Sequence, residues 1–341
     1  MPLTPIAGVQ RLRAYQMGKE STFNTQVAAT RRFPWSFGPT VDPHWTDPQA
    51  DTGTLDPAMS PYRMGGDYTG QSTGALAAND APYLWSALLK GGVTPTTTLG
   101  ASTWHYVPAS TSQDVFDTFT AEWSDDATAD GFAYTGGVLD RLQLQFPQDG
   151  GPIQTQADWR FANVVYPSAP TGSLNVDLAP TWLYATDTAL YINSSAGNIG
   201  ITQLLNTMYD GSITINNNLD IKRFANGSNA RFQVANYGRG ARLIETTFTF
   251  AKSTAAITEA TDWLNANPVE RFIELDTVST AIAGTGAAHY QQKIKFAGYW
   301  FTRSDPTVNS NTAIQLVCHG VYDSTLAYPI DVTVVNTLSA L

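Results

Sequence analysis

The 341-residue sequence predicts a mainly β, antiparallel protein with one to three short helices and a long irregular arm. Three observations carry this. Apolar and polar residues alternate with period two over most of the chain, a helical period occurs only in short windows, and Gly, Pro and Asn punctuate the segments between. The length fits roughly two domains of about 150 residues, or one large all-β unit.

The chain opens on a cationic arm, residues 1–33. Arg11, Arg13, Lys19, Arg31 and Arg32 face Glu20 alone, a net of +4 over residues 1–32, whereas residues 33–160 carry −11 and residues 161–341 carry −3. Opposite patches on one chain favour head-to-tail docking between copies; a solvated tail is the alternative. Residues 34–78 follow, interrupted by Pro34, Gly38, Pro39, Pro43, Pro48, Gly53, Pro57, Pro61, Gly65, Gly66, Gly70 and Gly74, a spacing across which no regular element is expected. Trp35, Phe37, Trp45 and Tyr62 make disorder a poor reading, because large rings cost solubility unless they bury. The segment is expected to be an extended loop packed on a neighbouring copy, or else folded over its own domain.

A helix is predicted after Asp80, a capping residue, with Pro82 in the first turn, Leu84 and Leu88 on one face and Gly91-Gly92 as the stop. A second is predicted over 255–266, with Ile257, Ala260 and Leu264 on one stripe, Trp263 flanking and Asn267-Pro268 ending it. Ile201, Leu204, Leu205 and Met208 fit a third. The rest reads as strand. Asp117, Phe119, Ala121 and Trp123 alternate with Thr118, Thr120 and Glu122. Leu142, Leu144 and Phe146 alternate with Arg141, Gln143 and Gln145; after the turn at 148–151, Ile153, Thr155, Ala157, Trp159 and Phe161 alternate with Gln154, Gln156, Asp158 and Arg160. These two runs form a hairpin with one buried and one wet face. Further strands are expected near 212–224, 231–236, 240–251, 271–278, 291–302, 313–322 and 328–336. The wet faces carry Thr, Gln and Asn, and Lys occurs only six times, so few charges guard the edges against pairing. Such sheets suit joining neighbouring sheets and closing a larger barrel from several chains.

Composition narrows function by exclusion. A net charge of −10, with 14% of residues charged, argues against a protein that grips phosphate backbones. The lone Cys318 rules out an intramolecular disulfide and a thiolate metal cluster. MPLTPIAGVQRLR lacks the apolar run of a signal peptide and no stretch of about 18 apolar residues occurs, so a chain made in a cytosol without membrane insertion is expected.

No catalytic constellation is legible. His44, His105, His289 and His319 show no metal-ligand spacing, although His44 in Asp-Pro-His-Trp-Thr-Asp pairs an imidazole with carboxylates. There is no GxSxG elbow and no phosphate-cradling GxxxxGK[ST] loop, and Cys318 lies in an alternating strand where a buried, inert thiol is expected. Glu122, Asp125, Asp126 and Asp130 fit a glycosidase pair or a Ca²⁺ loop less well than a solvated hairpin tip. Asn193-Ser194-Ser195 and Asn226-Gly227-Ser228 match the glycosylation triplet only as polar turns. No enzyme activity, cofactor or metal is expected.

The order of segments does resemble a known family. GALAANDAPYLWSALLKGG at 74–92, DVFDTFTAEWSD, YTGGVLDRLQLQFPQDGGPIQTQADWRF at 134–161, LYINSSAGNIGITQLLN, TEATDWLN and PIDVTVVN at 329–336 together resemble the tail tube (major tail) proteins of long-tailed bacteriophages. The resemblance implies a β-sandwich or part-barrel over 79–341, with an outer elaboration within 165–230. Six copies would form a ring closing into one β-barrel, and rings would stack into the virion's conduit for genome ejection, assembled in the host cytoplasm. Partners implied are further copies, the tail tip, tape-measure and tail terminator proteins, and double-stranded DNA in transit. The lumen is then expected to be lined by Thr118, Thr120, Glu122, Gln143, Gln145, Gln154, Gln156 and Asp158, and ring-to-ring contact to be made by Arg11, Arg13, Arg31, Arg32, Trp35 and Trp45. The competing readings are a carbohydrate-binding or glycoside-cleaving β-sandwich, or a decoration or receptor-binding protein of a virion.

Overall fold

The computed structural model describes residues 13–46, 60–110, 112, 114–125, 130–172, 174, 176–224 and 234–341. Arg11 and Asp126, and parts of the 34–78 segment and of the strand expected near 231–236, lie outside them. The chain is mostly β, with two α-helices among the described residues, Ala81–Leu88 and Thr254–Asp262.

One antiparallel ladder dominates. In spatial order it runs Ser36–Asp42, Asp67–Ala75, Gln154–Phe161, the second half of Gly131–Phe146, Met208–Asn216, Leu243–Ala251, Asn311–Val321 and His289–Ser304. The 289–304 strand also pairs with Asp331–Asn336, which leads to Ala101–Tyr106, and on its other edge with Arg271–Ile282, which leads to Thr188–Asn193. The first half of Gly131–Phe146 joins a second ladder, where it pairs with Phe119–Ser124, itself paired with Ala14–Lys19. Among the described residues these pairings branch without closing on themselves, so the chain is an open sandwich or part-barrel with free edges.

The helix Ala81–Leu88 is the centre of the core, and all eight of its residues are buried. Polar groups from distant strands pin it. Trp85 Nε1 donates to Gln292 Oε1 at 3.0 Å, Asn336 Nδ2 donates to the Ala78 carbonyl at 3.0 Å, and Asn217 Nδ2 donates to the Leu88 carbonyl at 2.7 Å. Asp80 makes no cap hydrogen bond. Its carboxylate, fully buried, accepts instead from Arg31 Nε at 2.6 Å.

Several expectations need correcting. The 34–78 segment is not devoid of regular structure, because Ser36–Asp42 and Asp67–Ala75 are paired strands. Its glycines are strand residues that make room for rings: a Cβ on Gly70 would lie 2.5 Å from the Phe37 ring, and one on Gly74 would run into Trp35. Pro39 sits on the outermost strand of the ladder, where its missing N–H costs no ladder bond. The third helix is absent, since Gly200 and Asn206 have positive φ (79° and 52°) and Met208 begins a strand. In the second helix Ser253 caps Ala256 N at 3.2 Å, but the buried stripe is Ala256 and Ala260; Ile257 and Leu264 are exposed. The strand expected over 212–224 breaks at Asn217–Asn218, where Asn218 has φ 47° and the Asn217 amide turns inward to the helix.

Candidate functional site

The register of the main ladder builds one continuous wet face. Ser36, Thr73, Gln156, Gln143, Thr214, Glu245 and His319 stand directly opposite one another in consecutive strands, forming a single cross-sheet row. A second row runs Gln71, Asp158, Arg141, Asn216 and Leu243, and a third Gln154, Gln145, Ser212, Thr247 and Val317. Directly opposed residues share a face, so these rows lie on one surface. Alternate positions turn inward: Leu142, Leu144, Ala157, Ile213, Ile215 and Ile244 are buried.

The face is uncharged amide and hydroxyl over most of its extent. Its charges come with partners: Arg141 lies 3.8 Å from Asp158, Asp140 accepts from Arg160 Nε at 3.1 Å, and Glu245 lies 3.2 Å from His319. Gln71 Nε2 also donates to Asp158 at 2.7 Å. Near Arg141 and Asp158 the surface dips into a shallow concavity of about 400 Å³ floored by Gly38 and Gly70.

Of the eight residues expected to share a wet surface, five lie on this one: Gln143, Gln145, Gln154, Gln156 and Asp158. The other three do not. Thr120 and Glu122 are buried and Thr118 is half-buried, because residues 20–29 and Thr171 fold over that strand. Glu20 accepts from Thr118 Oγ1 at 2.9 Å, Thr120 Oγ1 at 3.0 Å, Gly136 N at 2.7 Å and Asn24 N at 2.9 Å. Glu122 accepts from Gln16 Nε2 and Thr171 N, both at 2.6 Å. Each carboxylate is satisfied by hydrogen bonds, as a buried charge must be. Apart from Asn24, the partners lie 49 to 116 residues away in the chain, and no local pattern announces them. Conversely, Thr73, Ser212, Thr214 and Thr247 join the face unannounced, although the alternation in 208–216 and 243–251 is the signal that marks them.

The described cationic residues of the arm are likewise spent within their own chain. Arg31 pairs with buried Asp80, Lys19 with Asp117 at 2.9 Å, and Arg13 with Asp125 at 2.6 Å while lying 5.6 Å over the Trp123 ring. Arg32 donates to the Arg13 carbonyl at 3.4 Å. Trp35 is buried, its Nε1 donating to the Ala75 carbonyl at 2.8 Å, whereas Trp45 is 65% exposed. Of the expected docking residues that the structure describes, only Trp45 presents most of its surface to solvent.

The chemical candidates do not converge. Asp125 is held by Arg13 and Asp130 accepts from the Tyr166 hydroxyl at 2.6 Å, so these two carboxylates are engaged in different contacts. His44 Nε2 lies 3.4 Å from Asp42 and 3.3 Å from Asp67, and among the described residues no cluster has the geometry to hold a metal ion. Cys318 is buried and its thiol is pushed up to about 12 by desolvation. No described helix is long and apolar enough to cross a membrane.

A family model of the phage tail tube protein matches residues 11–334, nearly the whole chain. The chain belongs to the phage tail tube protein family. No curated protein sequence matches it. As a tail tube protein it is a structural subunit of a virion tail, and the family assembles with itself into a tube. An open ladder with free strand edges is compatible with such self-assembly.

Proposed function

We propose that this tail tube protein forms stacked hexameric rings whose main-ladder wet face lines the conduit through which the phage genome passes into the host. The observation that carries the reading is the row from Ser36 to His319, seven strands wide and nearly free of unmatched charge. A duplex sliding past amides and hydroxyls meets no array of cations whose counterion release would hold it, and little net repulsion. Lining roles fall to Gln143, Gln145, Gln154, Gln156 and Asp158, with Thr73 and Thr214 added; Thr118, Thr120 and Glu122 support the subunit from within. The tail tip, tape-measure and terminator proteins would bound and fill the tube, with assembly in the host cytoplasm.

Maleimide labelling tests the orientation. Gln143→Cys on the proposed lining face and Thr258→Cys on the exposed side of the helix Thr254–Asp262 should both react with a bulky polyethylene-glycol maleimide in the free subunit. After assembly into tubes, only Thr258→Cys should still react. Equal labelling of Gln143→Cys before and after assembly would place that face outside the conduit.

A further inference from the structure

Away from the wet face, the segment leading into Phe119–Ser124 and the short strand Asn236–Arg239, which pairs with Leu219–Lys222, share a cavity of about 400 Å³. Its walls include Phe23, Phe116, Val138 and Tyr237. The Phe23 and Tyr237 rings meet edge to face at 5.9 Å, and the Tyr237 hydroxyl is spent on the Gly136 carbonyl at 3.1 Å. None of these residues belongs to the cross-sheet rows of the wet face. A cavity of about 150 Å³ suffices to hold benzene, and small-molecule sites begin near about 300 Å³, so this one has room for a ring and a polar group.

The polar wall is Arg239, whose side chain is only 16% exposed. Its Nη1 is buried without a hydrogen-bond partner, and no described residue accepts a hydrogen bond from the rest of its guanidinium. Asp114 lies 3.7 Å from Nη1, but the oxygen concerned, Oδ2, already accepts from Ala109 N at 2.8 Å. Arg242 draws on the same carboxylate. It is held by neutral acceptors, Asn217 Oδ1 at 3.0 Å and the Leu89 carbonyl at 3.5 Å. Burial, with the charge of Arg239 added, lowers its pKa to about 10 against the opposing pull of Asp114. The carboxylate of Glu20, one hydrogen bond beyond the lining Thr118, is taken up by four donors of its own. Two guanidinium groups thus share one carboxylate, and the one that lines the cavity has N–H groups to spare. A buried cation in that state is costly until an anion meets it.

We propose that the cavity binds a small apolar carboxylate, which pairs with Arg239 and lays its aromatic or branched body among Phe23, Phe116, Val138 and Tyr237. A monoanion offsets the one surplus charge, and a planar carboxylate matches the fork of a guanidinium. Phosphate fits poorly, because apolar walls cannot replace the hydration of a second charge. The group arrives either as a free acid or as the C-terminal residue of a polypeptide. The site is built within one subunit and does not depend on the conduit reading.

Fluorine NMR of para-fluorophenylacetate mixed with the full chain tests the site. The resonance should broaden with a Kd of about 1 mM or tighter, and neutral para-fluorophenylacetamide should bind about 10-fold more weakly or less. Arg239→Gln should keep the circular dichroism of the parent and lower binding of the acid to the level of the amide, and Arg239→Lys should restore part of it. N-acetyl-para-fluorophenylalanine distinguishes the sources: tighter binding than the simple acid supports a polypeptide C-terminus, and weaker binding a free acid. Equal binding of acid and amide, undiminished binding of the acid by Arg239→Gln, or no binding at about 10 mM would overturn the proposal. The comparison of acid with amide needs only the parent chain, so it decides even where Arg239→Gln fails to fold.

Discussion

Replacing Asp80 by Asn isolates the electrostatic cost at the centre of the core. Asp80 is fully buried, one carboxylate oxygen is bonded to Arg31 and the other has no hydrogen-bond partner. Burial pushes its pKa from 3.8 up to about 6, outweighing the lowering by Arg31. A carboxyl whose folded pKa lies above its unfolded value binds its proton more tightly in the folded state. The folded state therefore suffers no penalty below about pH 4, loses stability as pH rises through 4 to 6, and carries the full cost above that. A shift of about two units at 1.36 kcal/mol each amounts to about 3 kcal/mol. Asp80→Asn keeps an acceptor for Arg31 but does not titrate, so its other effects add a constant offset. Urea unfolding followed by tryptophan fluorescence should show the variant gaining up to about 3 kcal/mol on the parent between pH 4 and pH 7. A difference that is flat with pH would mean that the guanidinium balances desolvation, and one that moves against the variant that it outweighs it; either would refute a raised Asp80 pKa.

Three other perturbations follow from the same packing. Glu20→Gln presents an amide N–H₂ to a site where four donors converge, and should cost at least about 2 kcal/mol, read as a lower urea midpoint at unchanged slope. Gly74→Ala should cost about 1–3 kcal/mol by driving a methyl into Trp35, and much of that loss should vanish in a Trp35→Leu background, giving a clear coupling in a double-mutant cycle. Cys318, with its thiol raised to about 12, should resist a disulfide reagent at pH 8 in the folded chain and react fully in urea; rapid reaction without denaturant would contradict its burial.

The elements read correctly from sequence are those whose partners are close along the chain or whose period is long. The 141–161 hairpin is legible because Leu142, Leu144, Ala157 and Trp159 alternate over two full strands joined by a short turn, and the structure pairs Gln143 with Gln156 and Gln145 with Gln154 in that register. The Ala81–Leu88 helix is legible from Pro82, Leu84 and Leu88. What failed did so for identifiable reasons. Gly70 and Gly74 read as loop residues because glycine signals both freedom and vacancy, and only the position of Phe37 on the neighbouring strand and of Trp35 just before it reveals that vacancy is meant. Ile257 and Leu264 read as core because apolar residues at helical spacing ordinarily are, yet the helix approaches the body so closely that only Ala256 and Ala260 fit beneath it.

The same distinction governs the functional surface. Local alternation identifies which residues share a face, and that is why Gln143, Gln145, Gln154, Gln156 and Asp158 were found together. It does not reveal whether another part of the chain will cover that face. The strand bearing Thr118, Thr120 and Glu122 has the same pattern as the hairpin, and differs only in that residues 20–29 and Thr171 bring Glu20 and backbone N–H groups onto it. The cover is itself chemically marked: the covered strand ends on a carboxylate satisfied by donors from elsewhere, whereas the open face carries amides and hydroxyls that water satisfies equally well. The charge of the arm misleads for a related reason. A cationic segment beside an acidic body is complementary to a second copy and to its own body alike, and the intramolecular contact forms at far higher effective concentration. Arg13, Lys19 and Arg31 are therefore consumed in folding, whereas the rings of Trp45 and Tyr62 stay exposed to solvent.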